Sequence, residues 1–179
     1  MRLRYSLTKK GSLNELIQQL EEYEKKLDSR FQNFLSRLMD VGIEVAKAKL
    51  GDYEGYVEFR KEISENEGIL IATDGEKILK EWYTNAKKTQ KRSYEISPLL
   101  MKEFGSGWLA VVMSDIPGVG QGTMPNSYGH ANDPNGWYWY DEDGKKHHSI
   151  GEAPTFPMYS AAIEMMREID NIAKETLCG

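Results

Sequence analysis

The sequence predicts a single α+β domain over residues 1–179, in which a long N-terminal amphipathic helix and a C-terminal helix pack on an antiparallel sheet. Apolar residues recur at three- and four-residue steps over residues 12–50 and again over 157–177. Between these segments, short β-branched and aromatic runs alternate with turn residues in a sheet region over 56–112. Residues 113–150 are interpreted as an inserted loop and an aromatic hairpin.

The first helix begins at a capping box, Ser12-Leu13-Asn14-Glu15, whose serine and glutamate side chains satisfy free backbone N–H groups. Its apolar stripe consists of Leu13, Leu16, Ile17, Leu20, Tyr23, Leu27, Phe31, Phe34, Leu35, Leu38, Val41 and Val45. The other face is charged, so the stripe requires a partner. An unbroken helix ending at Gly51-Asp52 would be on the order of 55 Å long. A helix pair broken near Asp28-Ser29 or Asp40-Gly42 fits the pattern equally well.

Three runs in the middle of the chain predict an antiparallel meander. They are Tyr56 to Ile63, Gly68 to Thr73 and Glu76 to Leu79. Asp74-Gly75 is a strong signal for a two-residue hairpin between the second and third runs. Residues 80–93 give no clear indication of either helix or strand.

A second hairpin and a closing helix follow the loop-like residues 119–135. The predicted strands Trp137-Tyr138-Trp139-Tyr140 and Lys145 to Ser149 are joined by a turn at Asp143-Gly144. Because side chains alternate along a strand, two of the four aromatic residues face the core and two face a neighbour or solvent. Large exposed aromatic surface is typical of an interface, and we expect one here. Pro157 occupies the favoured first position of the helix over 157–177.

Composition excludes several classes of protein. Hydrophobic residues make up 40% and charged residues 28% of the chain, as in ordinary globular proteins. No apolar run approaches the roughly 20 residues that span a bilayer, and no signal peptide follows the basic residues 1–10. The single cysteine, Cys178, permits neither an intrachain disulfide nor a cysteine zinc cluster. We therefore expect a protein made in the cytoplasm, or a particle assembled there, with no membrane partner.

The sequence offers no strong catalytic, cofactor or metal site, and we expect none. His147 and His148 are adjacent on a predicted strand and should point to opposite faces, which disfavours a shared metal ion. A site that adds His130 and one of the aspartates Asp133, Asp141 or Asp143 is the weaker interpretation. The glycine-rich residues 118–123 lack the Lys-Ser or Lys-Thr of a phosphate loop.

A basic stretch could contact phosphate groups of DNA or an acidic partner. Its members are Lys87, Lys88, Lys91 and Arg92. The net charge of −5 disfavours broad binding to DNA and favours a solvated loop instead. DNA binding therefore remains an alternative to the solvated loop.

Two segments resemble a known protein family. Tyr94 to Gly107, with Glu103-Phe104-Gly105-Ser106-Gly107, resembles the Tyr-Ala-x-Tyr-Val-Glu-Phe-Gly-Thr-Gly segment of the minor tail-component, or neck-protein, family of long-tailed bacteriophages and prophages. Gly151 to Ala162, with Pro154 and Pro157-Met158, resembles the segment that opens this family's last helix. The chain lacks the family's Pro-x-Asp-Thr-Gly-x-Leu segment, and residues 111–149 resemble an enlarged insertion.

This resemblance implies a structural virion protein of the head–tail connector, or neck, or of the tail completion region. It implies a homo-oligomeric ring at the head–tail junction, assembled in the host bacterial cytoplasm. The partners would be other neck, portal-adaptor or tail proteins, with genomic DNA passing through the channel. Gly105 and Gly107 would let the backbone turn sharply after Phe104, whose ring would anchor the turn in the core. The alternatives are a small phage-encoded metal-dependent hydrolase or nuclease using the histidines, and a DNA-binding accessory protein.

Overall fold

A computed structural model describes residues 12–109 and 134–177 and confirms the α+β class. Within these residues the helices are α1 (Ser12–Leu50), α2 (Pro98–Phe104) and α3 (Pro157–Leu177), with 3₁₀ turns at Gly51–Tyr56 and Gly107–Leu109. The strands are β1 (Val57–Ile63), β2 (Gly68–Asp74), β3 (Ile78–Tyr83), β4 (Lys91–Ile96), β5 (Trp137–Tyr140) and β6 (Lys146–Ser149). The assignment of residues 1–179 to a single domain stays a prediction.

Helix α1 is one continuous helix of 39 residues, about 58 Å long. It breaks neither at Asp28-Ser29 nor at Asp40-Gly42, which decides between the two interpretations of the sequence. Gly42 has a packing role instead, because a Cβ atom there would lie 2.8 Å from Met165 Sδ and 3.0 Å from Leu70 Cδ2. The missing side chain lets α1, α3 and β2 approach one another closely.

Helices α1 and α3 pack antiparallel and form the largest contact of the fold. At one end Arg30 Nη1 donates to the Leu177 carbonyl at 3.4 Å, and Arg37 pairs with Glu175 at 2.6 Å. At the other end the Thr155 hydroxyl donates to the carbonyl of Lys49 at 2.8 Å. The buried hydrophobic core of the described chain consists of Phe34, Met39, Ala46, Leu50, Val57, Ile96, Met101, Ala161 and Ile172, and Pro98 and Pro157 are also buried. The buried residues of α1 and α3 lie on the faces that these two helices direct toward the core.

The N-terminal part of α1 extends beyond α3. Since Leu177 lies level with Arg30, residues 14–29 project about 24 Å past the described end of α3. All of these residues except Leu16 are exposed. We call residues 14–29 the arm.

The strands form two separate sheets rather than one meander. Strands β1 and β2 pair antiparallel along their whole length and pack on α1, where Lys61 Nζ binds Ser36 Oγ at 2.9 Å and Asp40 Oδ1 at 2.8 Å. The second sheet has the order β4-β3-β5-β6. Strand β3 joins β5 through one pair, Tyr83 with Tyr140.

The predicted hairpin at Asp74-Gly75 is wrong, and the third strand runs over 78–83 instead of 76–79. A two-residue hairpin of type I′ needs positive φ at its central residues, and Gly75 is not among the described residues with positive φ. Asp74 serves another purpose. Its carboxylate accepts hydrogen bonds from the Leu99 backbone N–H at 2.9 Å and from the Ser97 hydroxyl, which fastens β2 to the start of α2.

Residues 80–93, for which the sequence indicated neither helix nor strand, lie in a hairpin of β3 and β4. The two strands pair antiparallel along their whole length. The Asn85 side chain closes its turn by binding Thr89 through both its amide nitrogen and its oxygen. The second predicted hairpin is confirmed, with β5 and β6 paired across a turn that contains Gly144 at φ 75°. The closing helix is confirmed with Pro157 as its first residue.

We expect Leu50→Ala to lower the free energy of unfolding by about 2–5 kcal/mol, because Leu50 is 0% exposed at the end of α1. Leu20→Ala is the matched control on the same helix, where the leucine is 47% exposed, and it should cost less than about 1 kcal/mol. Urea unfolding of dilute protein measures both values. Equal losses for the two variants would contradict the described core.

Candidate functional site

The two segments that carry the family resemblance lie side by side in the fold. The backbone N–H of Ser106 donates to the Glu152 carbonyl at 2.8 Å, and the N–H of Glu152 donates back to Ser106 at 3.2 Å. Trp108 N–H donates to the Ile150 carbonyl at 3.0 Å, which extends the pairing by one step. The Ser106 hydroxyl, on a side chain that is itself buried, also accepts from Glu152 N–H at 3.0 Å. We call residues 102–108 and 150–158 the motif junction.

The motif junction needs glycine at three positions. Gly105, Gly107 and Gly151 all have positive φ, at 78°, 60° and 109°. A Cβ atom at Gly105 would lie 2.7 Å from the Glu152 carbonyl oxygen, and one at Gly151 would overlap the Ser106 carbonyl. Glycine therefore supplies both the left-handed backbone and the space for close approach.

The sharp turn predicted after Phe104 is confirmed, but the predicted anchor is wrong. The Phe104 side chain is only partly buried, whereas Met101, one turn earlier on α2, is buried in the core. Phe104 is the last residue of α2, and the chain turns away directly after it at Gly105, whereas Pro98 and Met101 are the buried residues of this helix. Pro154 is partly buried beside Gly105, on the facing segment.

Glu103 caps the N-terminus of α3 from a distance of 55 residues in sequence. Its two carboxylate oxygens accept hydrogen bonds from Met158 N–H at 2.7 Å and Tyr159 N–H at 3.1 Å. The residue before Pro157 is Phe156, which has no side-chain oxygen to cap the helix. The missing local cap is the signal in the sequence that α3 needs an acceptor from elsewhere. The carboxylate also lies at the positive end of the helix dipole.

An ion pair between Lys102 and Glu152 strengthens the motif junction. The Lys102 ammonium group also lies 4.9 Å from the centre of the Tyr53 ring, in cation–π geometry. Burial raises the pKa of the Tyr53 hydroxyl, and the nearby Glu152 carboxylate raises it further. Three elements therefore meet at one small electrostatic cluster. They are the 3₁₀ turn that follows α1, helix α2, and the segment that precedes α3.

A groove of about 420 Å³ opens beside the motif junction. It is lined by Tyr53, Lys80, Glu81, Trp82, Ile96, Met101, Ser106, Trp137, Trp139, Ser149, Gly151 and Glu152. Trp137 and Trp139 thus share one face of β5, as the alternation of side chains predicted. They line an open groove and are only partly buried.

The other face of β5 carries Tyr138 and Tyr140. Tyr138 is 58% exposed, with the His148 ring stacked against it at 4.6 Å and the Lys146 ammonium 3.9 Å from its centre. Tyr140 is partly buried next to Tyr83 on β3. This tyrosine face is available for contact with another molecule, while its role as an interface stays a prediction.

The described histidines are held in separate places. His147 Nε2 is 2.8 Å from Asp141 Oδ2, and its ring stacks on Trp139 at 4.2 Å. His148 Nε2 lies 2.7 Å from the Asn135 carbonyl oxygen, on the opposite face of β6. Over residues 12–109 and 134–177, no group of three or more His, Cys, Asp or Glu side chains is placed to hold a metal ion. His130, Asp133 and the glycine-rich residues 118–123 lie outside the described residues.

Asp141 organises the turn between β5 and β6. Its Oδ1 accepts from Asp143 N–H at 3.0 Å and from Lys145 N–H at 2.9 Å, while Oδ2 meets His147. The hydrogen bond with His147 lowers the pKa of Asp141, and the backbone N–H of Lys145 lowers it further. The aspartate that was a weak candidate for metal binding is thus a turn-forming residue.

The basic stretch does not form one patch. Lys88 donates to the Glu142 carbonyl in the neighbouring hairpin, and Lys91 pairs with Glu81 at 2.7 Å. The hydrogen bond to Glu81 raises the pKa of Lys91. Lys91 and Arg92 are successive residues of β4, so their side chains leave opposite faces of the sheet, and Lys87 is exposed in the preceding turn.

Comparison with protein-family models, curated proteins and solved structures finds no match to this chain. Among the described helices, none is long and apolar enough to cross a membrane.

We expect Glu103→Ala to lower the free energy of unfolding by about 1–2 kcal/mol, because two N–H groups of α3 lose their acceptor. Glu103→Gln should cost less, since its amide oxygen can still accept. Glu62→Ala, which removes one partner of an exposed ion pair, is the control and should cost about 0.5 kcal/mol or less. A loss for Glu103→Ala no larger than for this control would show that the cap contributes nothing.

Asp141→Asn should weaken the β5–β6 hairpin in a pH-dependent manner. Because folding lowers the pKa of Asp141 from its ordinary value of 3.8, the carboxylate stabilises the hairpin above that pH, and this stabilisation is lost as the pH falls through the lowered value. Hydrogen-exchange protection of the hairpin amides should therefore be lower in the variant at neutral pH and should converge with the original chain in acid. Asp143→Asn is the adjacent control. A difference that persists unchanged into acid would contradict the assignment.

Proposed function

We propose that this protein is a structural subunit of the head–tail connector, or of the tail completion region, of a long-tailed bacteriophage or prophage particle. The observation that carries the proposal is the motif junction. The two segments that resemble the neck-protein family are separated by the 43 residues that lie between Gly107 and Gly151, yet they pair through reciprocal hydrogen bonds. The residues of a family motif are expected to work together in the fold, as the residues of these two segments do.

The roles of the motif residues fit a scaffold. Gly105 and Gly107 provide backbone freedom, Glu103 caps a helix, and Pro157 starts that helix. Each of these tasks positions an element of the fold, and none requires contact with a reacting molecule. A protein whose most recognisable residues build the scaffold is well suited to an architectural role.

The exposed apolar surface also supports an assembling subunit. The arm carries Ile17, Leu20, Tyr23 and Leu27, each between 45% and 47% exposed. Tyr138 on the second sheet and Met166 on α3 add to this surface at other places. Contiguous exposed apolar residues commonly mark protein–protein contacts. In the proposed setting these surfaces meet other copies in a ring and the neighbouring neck, portal-adaptor or tail proteins, around the channel that carries genomic DNA.

The proposal predicts that the protein is present in purified particles and is required to join heads to tails. Deleting its gene from an inducible prophage should give DNA-filled heads and separate tails in electron micrographs, and the intact gene supplied in trans should restore joined particles. A gene for a metal-dependent nuclease or a DNA-binding accessory would instead change genome processing or replication. Joined, infectious particles that lack the protein would overturn the proposal.

A further inference from the structure

Three tryptophans share one face of the second sheet. Trp137 and Trp139 alternate with the tyrosines of β5, and the pairing of Tyr83 with Tyr140 places Trp82 of β3 on the same face as these two indoles. All three tryptophans line the groove beside the motif junction, and each is partly buried. We call this side of the second sheet the tryptophan face.

Neighbouring groups hold two of the indoles in place. The Trp139 ring stacks on the His147 ring at 4.2 Å, and His147 is itself held by Asp141 at 2.8 Å. Trp137 lies against the backbone of Gly107, where a Cβ atom would come within 2.9 Å of its Cζ3. Flat surfaces that are fixed before a ligand arrives lose little conformational entropy when the ligand binds.

Two basic side chains of the tryptophan face have no ion-pair partner among the residues that the structure describes. Arg92 lies directly opposite Trp82 in the register of β3 and β4, and Lys80 precedes Trp82 by two positions on β3. Both cations therefore leave the sheet on this face, where both are exposed and Lys80 lines the groove. Lys91, on the opposite face of β4, is instead paired with Glu81.

The local charge is positive although the chain as a whole is acidic. Residues 78–96 and 137–149 hold seven Lys and Arg side chains against five Asp and Glu, whereas the net charge of the chain is −5. The two carboxylates that line the groove are already paired with lysines, in the pairs Glu81–Lys91 and Glu152–Lys102. Lys80 and Arg92 are therefore the charges that a ligand of this face has to match.

Two hydroxyl groups bring hydrogen-bond donors to the groove. The Ser106 oxygen accepts from Glu152 N–H at 3.0 Å, and the Ser149 oxygen accepts from Gly151 N–H at 3.1 Å. The Ser106 side chain is only 7% exposed. No group in the described part of the chain accepts the proton of either hydroxyl, so both protons are available to an acceptor on a ligand.

We infer that the tryptophan face binds a single-stranded nucleic acid, with a base stacked in the groove and the flanking phosphates on Lys80 and Arg92. Each nucleotide joins a flat ring that carries hydrogen-bond acceptors to a phosphate, so one strand matches the indoles, the hydroxyls and the cations together. The groove, at about 420 Å³, has the size of a small-ligand site. This activity goes beyond the proposed function and does not depend on it.

Other classes of ligand match only part of this surface. An acidic peptide provides charges for the two cations but no flat ring for each indole. A neutral sugar stacks on indoles but leaves the cations unmatched. The bases of a duplex lie inside its stack and do not reach the indoles.

Fluorescence anisotropy of a labelled oligothymidylate about twelve nucleotides long tests the inference on the purified full-length chain. We expect a Kd in the micromolar range at low salt. Because two phosphates are neutralised, the logarithm of the affinity should fall with the logarithm of the salt concentration at a slope of about −1.4. Arg92→Gln and Lys80→Gln should each reduce this slope to about −0.7. Lys91→Gln removes the same charge from the opposite face of β4 and should leave the slope unchanged.

Stacking is tested on β5. Trp139→Ala should weaken binding roughly tenfold to a hundredfold and leave the salt slope unchanged, because the base loses a stacking surface but no phosphate contact. Tyr138→Ala, one residue away on the tyrosine face, is the matched control and should bind as the original chain does. Circular dichroism melting checks that the variants are folded. If Trp139→Ala is unfolded, the slopes of the exposed Arg92→Gln and Lys80→Gln variants decide the question.

Several results would overturn the inference. They are no binding at low salt, equally tight binding of a duplex of the same length, or a salt slope that Lys91→Gln lowers as much as Arg92→Gln does. Displacement of the strand by polyglutamate at equal charge, or by thymidine monophosphate at equal nucleotide concentration, would assign the face to an acidic protein or to a free nucleotide instead. The proposed function fails separately, since particles that join without this protein would overturn that function and leave strand binding standing.

A chain that is required in particles but does not bind the strand would overturn this inference alone.

Discussion

Ser106 and Glu152 exchange backbone hydrogen bonds, and this exchange determines where the last helix starts. From that point the chain has only a few residues before Pro157, and Glu103 holds the first N–H groups of α3. The Thr155 hydroxyl then ties the same segment to the end of α1 at Lys49. The antiparallel packing of α3 on α1, and with it the burial of Ala161 and Ile172, depends on this placement.

The same pairing positions the second sheet. Strand β6 ends at Ser149, directly before the paired segment, so the β5–β6 hairpin is carried to the position where Trp137 lies against Gly107. Strands β3 and β5 pair only at Tyr83 and Tyr140, and residues of both strands line the groove together with Ser106, Gly151 and Glu152 of the motif junction. The tyrosine face is left outward as a consequence, since the tryptophan face is turned toward the groove.

Helix α1 is longer than the surface available to bury it. The part beside α3 and the first sheet gains stability from buried apolar side chains, whereas the arm depends on local helix propensity and on continuity with the buried part. An apolar stripe on such an extension has no role in the described fold of a single copy.

Sequence by itself determined the elements whose stabilising contacts are local. The three- and four-residue steps located α1 and α3, the residues around Gly144 located the second hairpin, and alternation along the strands separated His147 from His148. These features depend on neighbours within a few residues, so the local pattern contains the needed information. The family resemblance likewise came from two short segments, and the motif junction gives those segments a shared structural role.

Tertiary structure alone decided where distant residues meet. Asp74-Gly75 reads locally as a hairpin, but the Asp74 carboxylate is engaged by Ser97 and Leu99, and β3 joins another sheet. Gly42 lies within an unbroken α1 where Met165 and Leu70 approach closely, and the cap of α3 comes from Glu103 rather than from a neighbouring residue. In each case the deciding free energy belongs to a contact between residues far apart in the chain, which no local pattern of residue types records.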